Sequence, residues 1–267
     1  MAVDEALFRS AQRTPMAPVL RFYGWRRPAV TLGRFQRKDL EIDEAFCLRE
    51  GIDVVTRPTG GKAVYHDGDL TYAVVASDTA SLFPRDVLGT YEVIGLCLQE
   101  GLREMGVPAV FAEGPRPGIG GGGAPSCFSC ASRFELLAQG RKICGSAQVR
   151  SRGVFLQQGS ILFSFDTPRA CAAIGGKNEG DTPRKERIRR LREAATSVED
   201  HVSLGREGHR NLVAAIQRAF IRRLGAVFVE GALTPAEEAL KRDLLRDRCR
   251  FQPPPSDRED KGGSKGT

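Results

Sequence analysis

Two periods alternate along the chain. Val3, Ala6, Leu7 and Ala11 recur at helical spacing and predict a helix over residues 2–12. Short runs rich in β-branched and aromatic residues follow, at 19–25 with a break at Gly24, and at 29–33 after Pro28. Residues 41–50 are expected to be helical, stopping before Gly51. Two further strands, 52–56 and 70–76, flank Arg57-Pro58-Thr59-Gly60-Gly61-Lys62-Ala63-Val64-Tyr65-His66-Asp67. The clearest helix is 87–105, where Val87, Leu88, Tyr91, Val93, Ile94, Leu98, Leu102 and Met105 form one stripe and Gly106 terminates it. A short strand is expected at 107–111. Residues 133–138 and 154–165 alternate, with Phe155, Ile161, Phe163 and Phe165 inward, and 140–153 reads as strands joined by tight turns. A helix over 206–224 would bury Leu212, Ile216, Ala219, Phe220 and Leu224, and a short strand at 226–229 would follow. Thr234-Pro235-Ala236-Glu237 is a capping box with proline at the first helical position, opening a helix to about residue 248.

Between these elements lie a glycine-rich stretch at 114–123, expected to be mobile, and a charged run at 184–190 that suits a solvated helix face. Residues 203–250 read as a small helical C-terminal unit behind a core of 1–202, and 251–267 as a disordered tail. With 267 residues and 41% hydrophobic content, one sizeable core is expected. No run of about eighteen apolar residues occurs, so no membrane span is expected. The first residues carry Asp4 and Glu5 and lack the basic-then-apolar pattern of a secretory signal, which makes cytoplasmic location the default.

The net charge of +7 favours acidic partners. One Trp and four Tyr leave little aromatic–basic interleaving for base stacking, so nucleic acid is not expected. Seven dispersed cysteines do not form a disulfide framework, and the single Cys127-Phe128-Ser129-Cys130 lacks the second pair a structural zinc needs; no metal is expected.

Three places carry candidate chemistry. Gly60-Gly61 allows close backbone approach to a ligand, with Arg57, Lys62, His66 and Asp67 crowded around it; a plain turn between strands is the alternative. Cys127 follows the glycine-rich stretch, where a thiolate is better placed to react than inside an apolar strand; a half-buried small hydrophobe is the alternative. Lys142, inside the glycine-bounded Gly140-Arg141-Lys142-Ile143-Cys144-Gly145-Ser146-Ala147-Gln148, is suited to neutralise an oxyanion or a phosphate, or is simply a surface charge.

Taken together these motifs resemble the superfamily of lipoate–protein ligases, octanoyltransferases and biotin–protein ligases. The glycine pair is similar to its acyl-wrapping loop, and Arg21 to Trp25 with Thr31 to Gln36 to its opening strands. The Lys142 stretch is similar to its catalytic-lysine motif, and 152–162 to the segment after it. Ser126-Cys127-Phe128 and Ser132-Arg133-Phe134-Glu135-Leu136 resemble the monomeric octanoyltransferases, as does Asp69, where ATP-dependent ligases usually carry Asn. Gln158 departs from the family's usual His.

The resemblance implies an α+β fold of the class II biotin/lipoate ligase type, with a mixed, largely antiparallel sheet flanked by helices. It implies a monomeric acyltransferase that moves octanoyl from octanoyl-acyl carrier protein to a lysine of a lipoyl domain or a glycine cleavage H-type protein. Cys127 would be the thioester nucleophile and Lys142 would polarise the carbonyl. Arg57, Gly60, Gly61, Tyr65, His66, Gly145, Ser146 and Ala147 would shape the acyl site. No cofactor is needed in that reading, because the acyl group arrives activated. An ATP- and magnesium-dependent lipoate–protein ligase, or a non-catalytic module binding the carrier or the lipoyl domain, are the alternatives.

Overall fold

Runs with period two form two sheets in the computed structural model, which describes residues 1–112, 135–175 and 182–250. The larger sheet is antiparallel throughout. Its order is β1 (Val19–Tyr23), β5 (Asp69–Ser77), β9 (Val154–Leu162), β8 (Arg141–Ser151), β7 (Leu136–Ala138) and β6 (Ala109–Phe111). The smaller sheet sets β2 (Ala29–Leu32) between parallel β3 (Asp53–Thr56) and antiparallel β4 (Val64–His66). The result is the expected α+β fold.

Strand alternation sends successive side chains to opposite faces. On one face Leu70, Tyr72, Val74 and Ala76 join Phe155 and Ile161 in a core with Ile94, Leu98 and Leu102 of α4 (Val87–Glu104) and Leu212, Ile216 and Phe220 of α7 (Gly208–Leu224). On the other face Ala73, Val75 and Leu156 pack on Leu7 and Phe8 of α1 (Ala2–Ala11). Further along that second face, Leu162 joins the cluster of the smaller sheet with Val30, Leu32 and Tyr65. Between these two apolar patches runs a polar strip, and the candidate site lies over it.

Local chemistry sets the element ends. Asp86 caps α4 by accepting from Gly89 N. The expected box holds at α8 (Pro235–Arg250): Thr234 N donates to Glu237 Oε2 at 2.7 Å and Glu237 N to Thr234 Oγ1 at 3.3 Å. The expected helix over 41–50 is instead two pieces, α2 (Lys38–Glu41) and α3 (Glu44–Arg49). Ile42 is extended so that it can bury in the small-sheet cluster, and Asp43 restarts the helix by accepting from Phe46 N at 2.8 Å. No strand forms at 226–229: Val227 and Val229 are 88% and 86% exposed, and Phe228 alone turns inward onto Phe220. Residues 140–153 give one long strand, β8, which the Arg152-Gly153 turn joins to β9. Phe163 and Phe165 fall past the end of β9, with Phe163 still buried.

The charged run at 184–190 lies in α6 (Arg184–Ala194), which is largely exposed and ion-paired along its own surface; it follows α5 (Thr167–Ala173). In the 203–250 stretch, α7 completes the main core and Leu244 of α8 packs on Ala2 and Ala6 of α1. The glycine-rich stretch at 114–123, Cys127, Cys130 and the tail from 251 lie outside the described residues. No helix among the described residues is long and apolar enough to cross a membrane.

Helices α4 and α7 meet at Gly101, where an added Cβ would lie 2.5 Å from Ile216 Cγ1 and 2.8 Å from its Cα. We expect G101A to lower the urea midpoint by the equivalent of about 1–3 kcal/mol, the usual overpacking cost. G24A, with nothing within 4 Å, is expected to stay within about 0.5 kcal/mol of wild type. Equal midpoints for the two variants would contradict this helix contact.

Candidate active site

The Gly60-Gly61 loop has almost no side chain of its own to hold it, and Arg57 supplies what is missing. Its side chain is 5% exposed and runs beneath the loop. Nη2 donates to Gly60 O at 2.8 Å and Lys62 O at 2.7 Å, and Nη1 donates to Thr31 O at 3.0 Å. The guanidinium's fixed fork of donors thereby satisfies carbonyls from both the loop and β2. Gly61 has φ of 90°, and an added Cβ there would approach Ala147 Cβ at 3.9 Å, so the loop leans over β8. Gly33 lets this happen: a Cβ on it would sit 2.0 Å from Gly61 O.

Two buried hydrogen-bond networks tie the same loop to the large sheet. In the first, Arg57 Nη1 donates to Thr31 Oγ1 at 3.2 Å, which lies 2.9 Å from His66 Nε2. His66 Nδ1 then lies 2.9 Å from Asp69 Oδ2, which also accepts from Ser160 Oγ at 2.6 Å and Thr71 Oγ1 at 2.9 Å. Burial pushes the Asp69 carboxyl up, but His66 and the three hydrogen bonds outweigh it and hold it below the usual carboxylate range. Trp25 stacks on the imidazole with ring centres 4.3 Å apart and donates Nε1–H to Thr71 Oγ1 at 2.8 Å.

In the second network Thr59 Oγ1 donates to Gln158 Oε1 at 3.3 Å, and Gln158 Nε2 donates to Asp4 Oδ2 at 2.6 Å. Asp4, fully buried at the start of α1, also accepts from Tyr23 at 2.6 Å and is ion-paired with Arg21. Burial and the neighbouring Asp4 raise the Tyr23 phenol well above its ordinary range. Gln158 thus joins α1 to the glycine loop; its amide donates to one partner and accepts from the other.

The register of β8 decides which of its residues face this strip. Arg21, Ala73, Gln158 and Ala147 are successive cross-strand partners, as are Tyr23, Thr71, Ser160 and Gly145. Gly145 and Ala147 therefore lie on the loop face. Ser146 lies on the other, where its hydroxyl meets Tyr72 OH at 2.7 Å against the main core. Strict alternation would send Lys142 to that core face as well. A register shift between Leu136 and Leu137 intervenes: Cys144 pairs with Leu136, and Lys142 with Leu137. Leu136, Ile143 and Cys144 all enter the main core and Leu137 does not. The bulge thus turns Lys142 to the face of Gly145 and Ala147, a common use of a β-bulge beside a site.

Lys142 is only 2% exposed, so it is not the surface charge that its sequence context also allowed. Its ammonium is ion-paired with the Glu135 carboxylate, itself buried at the start of β7, and its carbonyl accepts from Thr196 N at 2.9 Å.

Of the residues singled out from the sequence, the structure brings together Arg57, Gly60, Gly61, Gly145, Ala147 and Lys142 along one side of the sheet. Ser146 faces away. Tyr65 is buried in the small-sheet cluster and donates to Asp67 at 3.0 Å. His66 stands behind the loop with both ring nitrogens engaged. Cys127 lies outside the described residues. Asp4, Thr59, Glu135 and Gln158 were not given a role from sequence. Asp4 carried a signal as an acid set among the apolar residues that open α1, Glu135 as part of the motif before Leu136, and Gln158 as a departure from the family pattern.

The model of the lipoyl protein ligase A/B catalytic domain family matches residues 1–221. The octanoyltransferase LipM of Kyrpidia tusciae is 38% identical over 248 residues, covering 92% of this chain and 89% of its own length. That of Geobacillus kaustophilus is 36% identical over 251 residues, with the same coverage. Among solved structures, lipoate-protein ligase A bound with ATP superposes with a TM-score of 0.72 at 29% identity, covering 92% of this chain and 87% of that one. A bipartite lipoate protein ligase solved with its E2 lipoyl domain from Thermoplasma acidophilum gives 0.73 at 29%, covering 92% and 86%. With a family model spanning most of its length and curated relatives this similar, the chain belongs to the lipoyl protein ligase A/B catalytic domain family.

Proposed function

We propose that this chain transfers an octanoyl group from octanoyl-acyl carrier protein to a lysine of a lipoyl-domain or glycine cleavage H-type protein, through a thioester on Cys127. The observation that carries the reading is Lys142: a buried ammonium turned by a bulge toward the face that the glycine loop covers. A tetrahedral intermediate places negative charge on the former carbonyl oxygen, and a desolvated cation stabilises it far better than a solvated one. The LipM relatives support the octanoyl donor class.

The described cysteines support Cys127 indirectly. Cys47, Cys97, Cys144 and Cys171 are buried. Burial pushes the thiol of Cys47 up to about 11 and that of Cys97 up to about 12, away from the thiolate a nucleophile needs. The acyl chain would lie along the face of β8 where Gly145 and Ala147 leave room, beside the Gly60-Gly61 backbone. Net positive charge suits two acidic proteins visiting in turn, chiefly by raising encounter rates.

Three outcomes test this. Mixed with octanoyl-acyl carrier protein, the chain should gain one octanoyl mass, which C127A loses and C130A keeps; an adduct retained by C127A contradicts the assignment. Transfer to a lipoyl domain should proceed without nucleotide, whereas strict dependence on ATP would place the chain with the ligase it resembles in structure. K142A should slow single-turnover transfer about 10²–10³-fold, the scale of a lost oxyanion donor. Because it removes the buried cation paired with Glu135, K142A should also cost about 3–5 kcal/mol of stability. K142R separates the two effects: it keeps a cation against Glu135 and so most of the stability, yet restores transfer poorly because its planar fork is misplaced. Wild-type transfer by K142R would remove Lys142 from the chemistry.

A further inference from the structure

The Lys142–Glu135 pair raises a question that the location of the lysine does not answer. Burial disfavours an ammonium, and a flexible four-carbon stem does not hold its head group in one place. A buried ion pair seldom adds net stability, so stability alone does not account for this one.

Both partners start from fixed backbone. Glu135 O accepts from Ala112 N at 2.9 Å, and Leu136 enters the ladder opposite Cys144. Lys142 is held by its own pairing with Leu137 and by Thr196 N on its carbonyl. The carboxylate therefore presents itself to the ammonium from an anchored position.

Among the described residues, charges near this end of β8 on the same strand and on α6 have other partners. Arg141, next along the strand and hence on the opposite face, interacts with Asp200 and His201. On α6, which packs beside β8, Glu186 and Glu193 are paired with Arg189 at the surface.

We propose that Glu135 is a positioning residue: its carboxylate keeps Lys142 charged and aims the ammonium at the loop-covered face of β8. The bulge sets the direction of the side chain, and Glu135 fixes where its end lies. In kinetics this rests on the transfer reaction proposed above; in the charge state of Lys142 it does not.

The test compares wild type, E135Q and E135D, each checked for folding. Lysine ε-carbon NMR, with Lys142 assigned through K142R, reads the titration directly, and single-turnover transfer is followed against pH. Removing the opposite charge favours the neutral amine. In E135Q Lys142 should therefore lose its proton about one to three pH units lower than in wild type. The alkaline limb of the transfer profile should move down with it, and transfer should slow by up to about a hundredfold. E135D keeps the charge but loses a methylene of reach, so its titration should stay near wild type while transfer slows. An unmoved Lys142 titration in E135Q overturns the proposal, and so does wild-type transfer in E135D. A wild-type chain that transfers nothing would instead refute the reaction, with the titration still deciding the role of Glu135. Should E135Q not fold, the rate and titration of E135D decide.

Discussion

A buried guanidinium holds the candidate site in shape. Arg57 donates to carbonyls of Thr31, Gly60 and Lys62, the first buried and the other two partly shielded from water by the close approach of loop and strand. Each such acceptor left without a donor costs about 1–3 kcal/mol, so the loop conformation and the Arg57 side chain depend on one another. That cation ties the loop to β2 of the smaller sheet. The other contacts refine this arrangement: His66 and Asp69 fix the Thr31 end of the fork, while Gln158 and Asp4 secure the loop at Thr59.

The two faces of the large sheet divide the work. One carries the main apolar core, with only a few paired polar groups such as Ser146 and Gln157 at Tyr72 OH, and packs on α4 and α7, which gives the site a rigid floor. The other changes character along its length, apolar under α1, polar in the middle, and apolar again at the smaller sheet. A polar strip between apolar patches suits a ligand with a hydrocarbon chain and one reactive carbonyl. The bulge in β8 matters here because it turns one lysine away from the apolar floor without altering the strand beyond it.

Much of this was legible in sequence because it is local. The stripes of α4 and α7, the Thr234–Glu237 box and the glycine pair each depend on residues a few positions apart. What failed or was missed depends on distant partners. The helix over 41–50 broke because Ile42 has a cluster to enter, and 226–229 formed no strand for want of a neighbouring edge. Arg57 and His66 stood out from their spacing as candidates around the glycine pair, but their place behind the loop depends on Thr31 and Asp69. Lys142 could have been core or surface: alternation alone points it at the main core, and only the pairing with β7 reveals the bulge. Gln158 looked like a departure from the family pattern, and its partner Asp4 lies 154 positions away in the sequence.

The position of an acyl group relative to Lys142 and the glycine loop decides the proposed chemistry. A crystal structure of the chain with a bound octanoyl thioester analogue measures this directly. The hydrocarbon is expected along the face of β8 that carries Gly145 and Ala147, beside the Gly60-Gly61 backbone, with Lys142 Nζ about 2.6–3.2 Å from the acyl oxygen. An acyl oxygen out of reach of Lys142, or a chain bound on the α4–α7 side of the sheet, would contradict that chemistry.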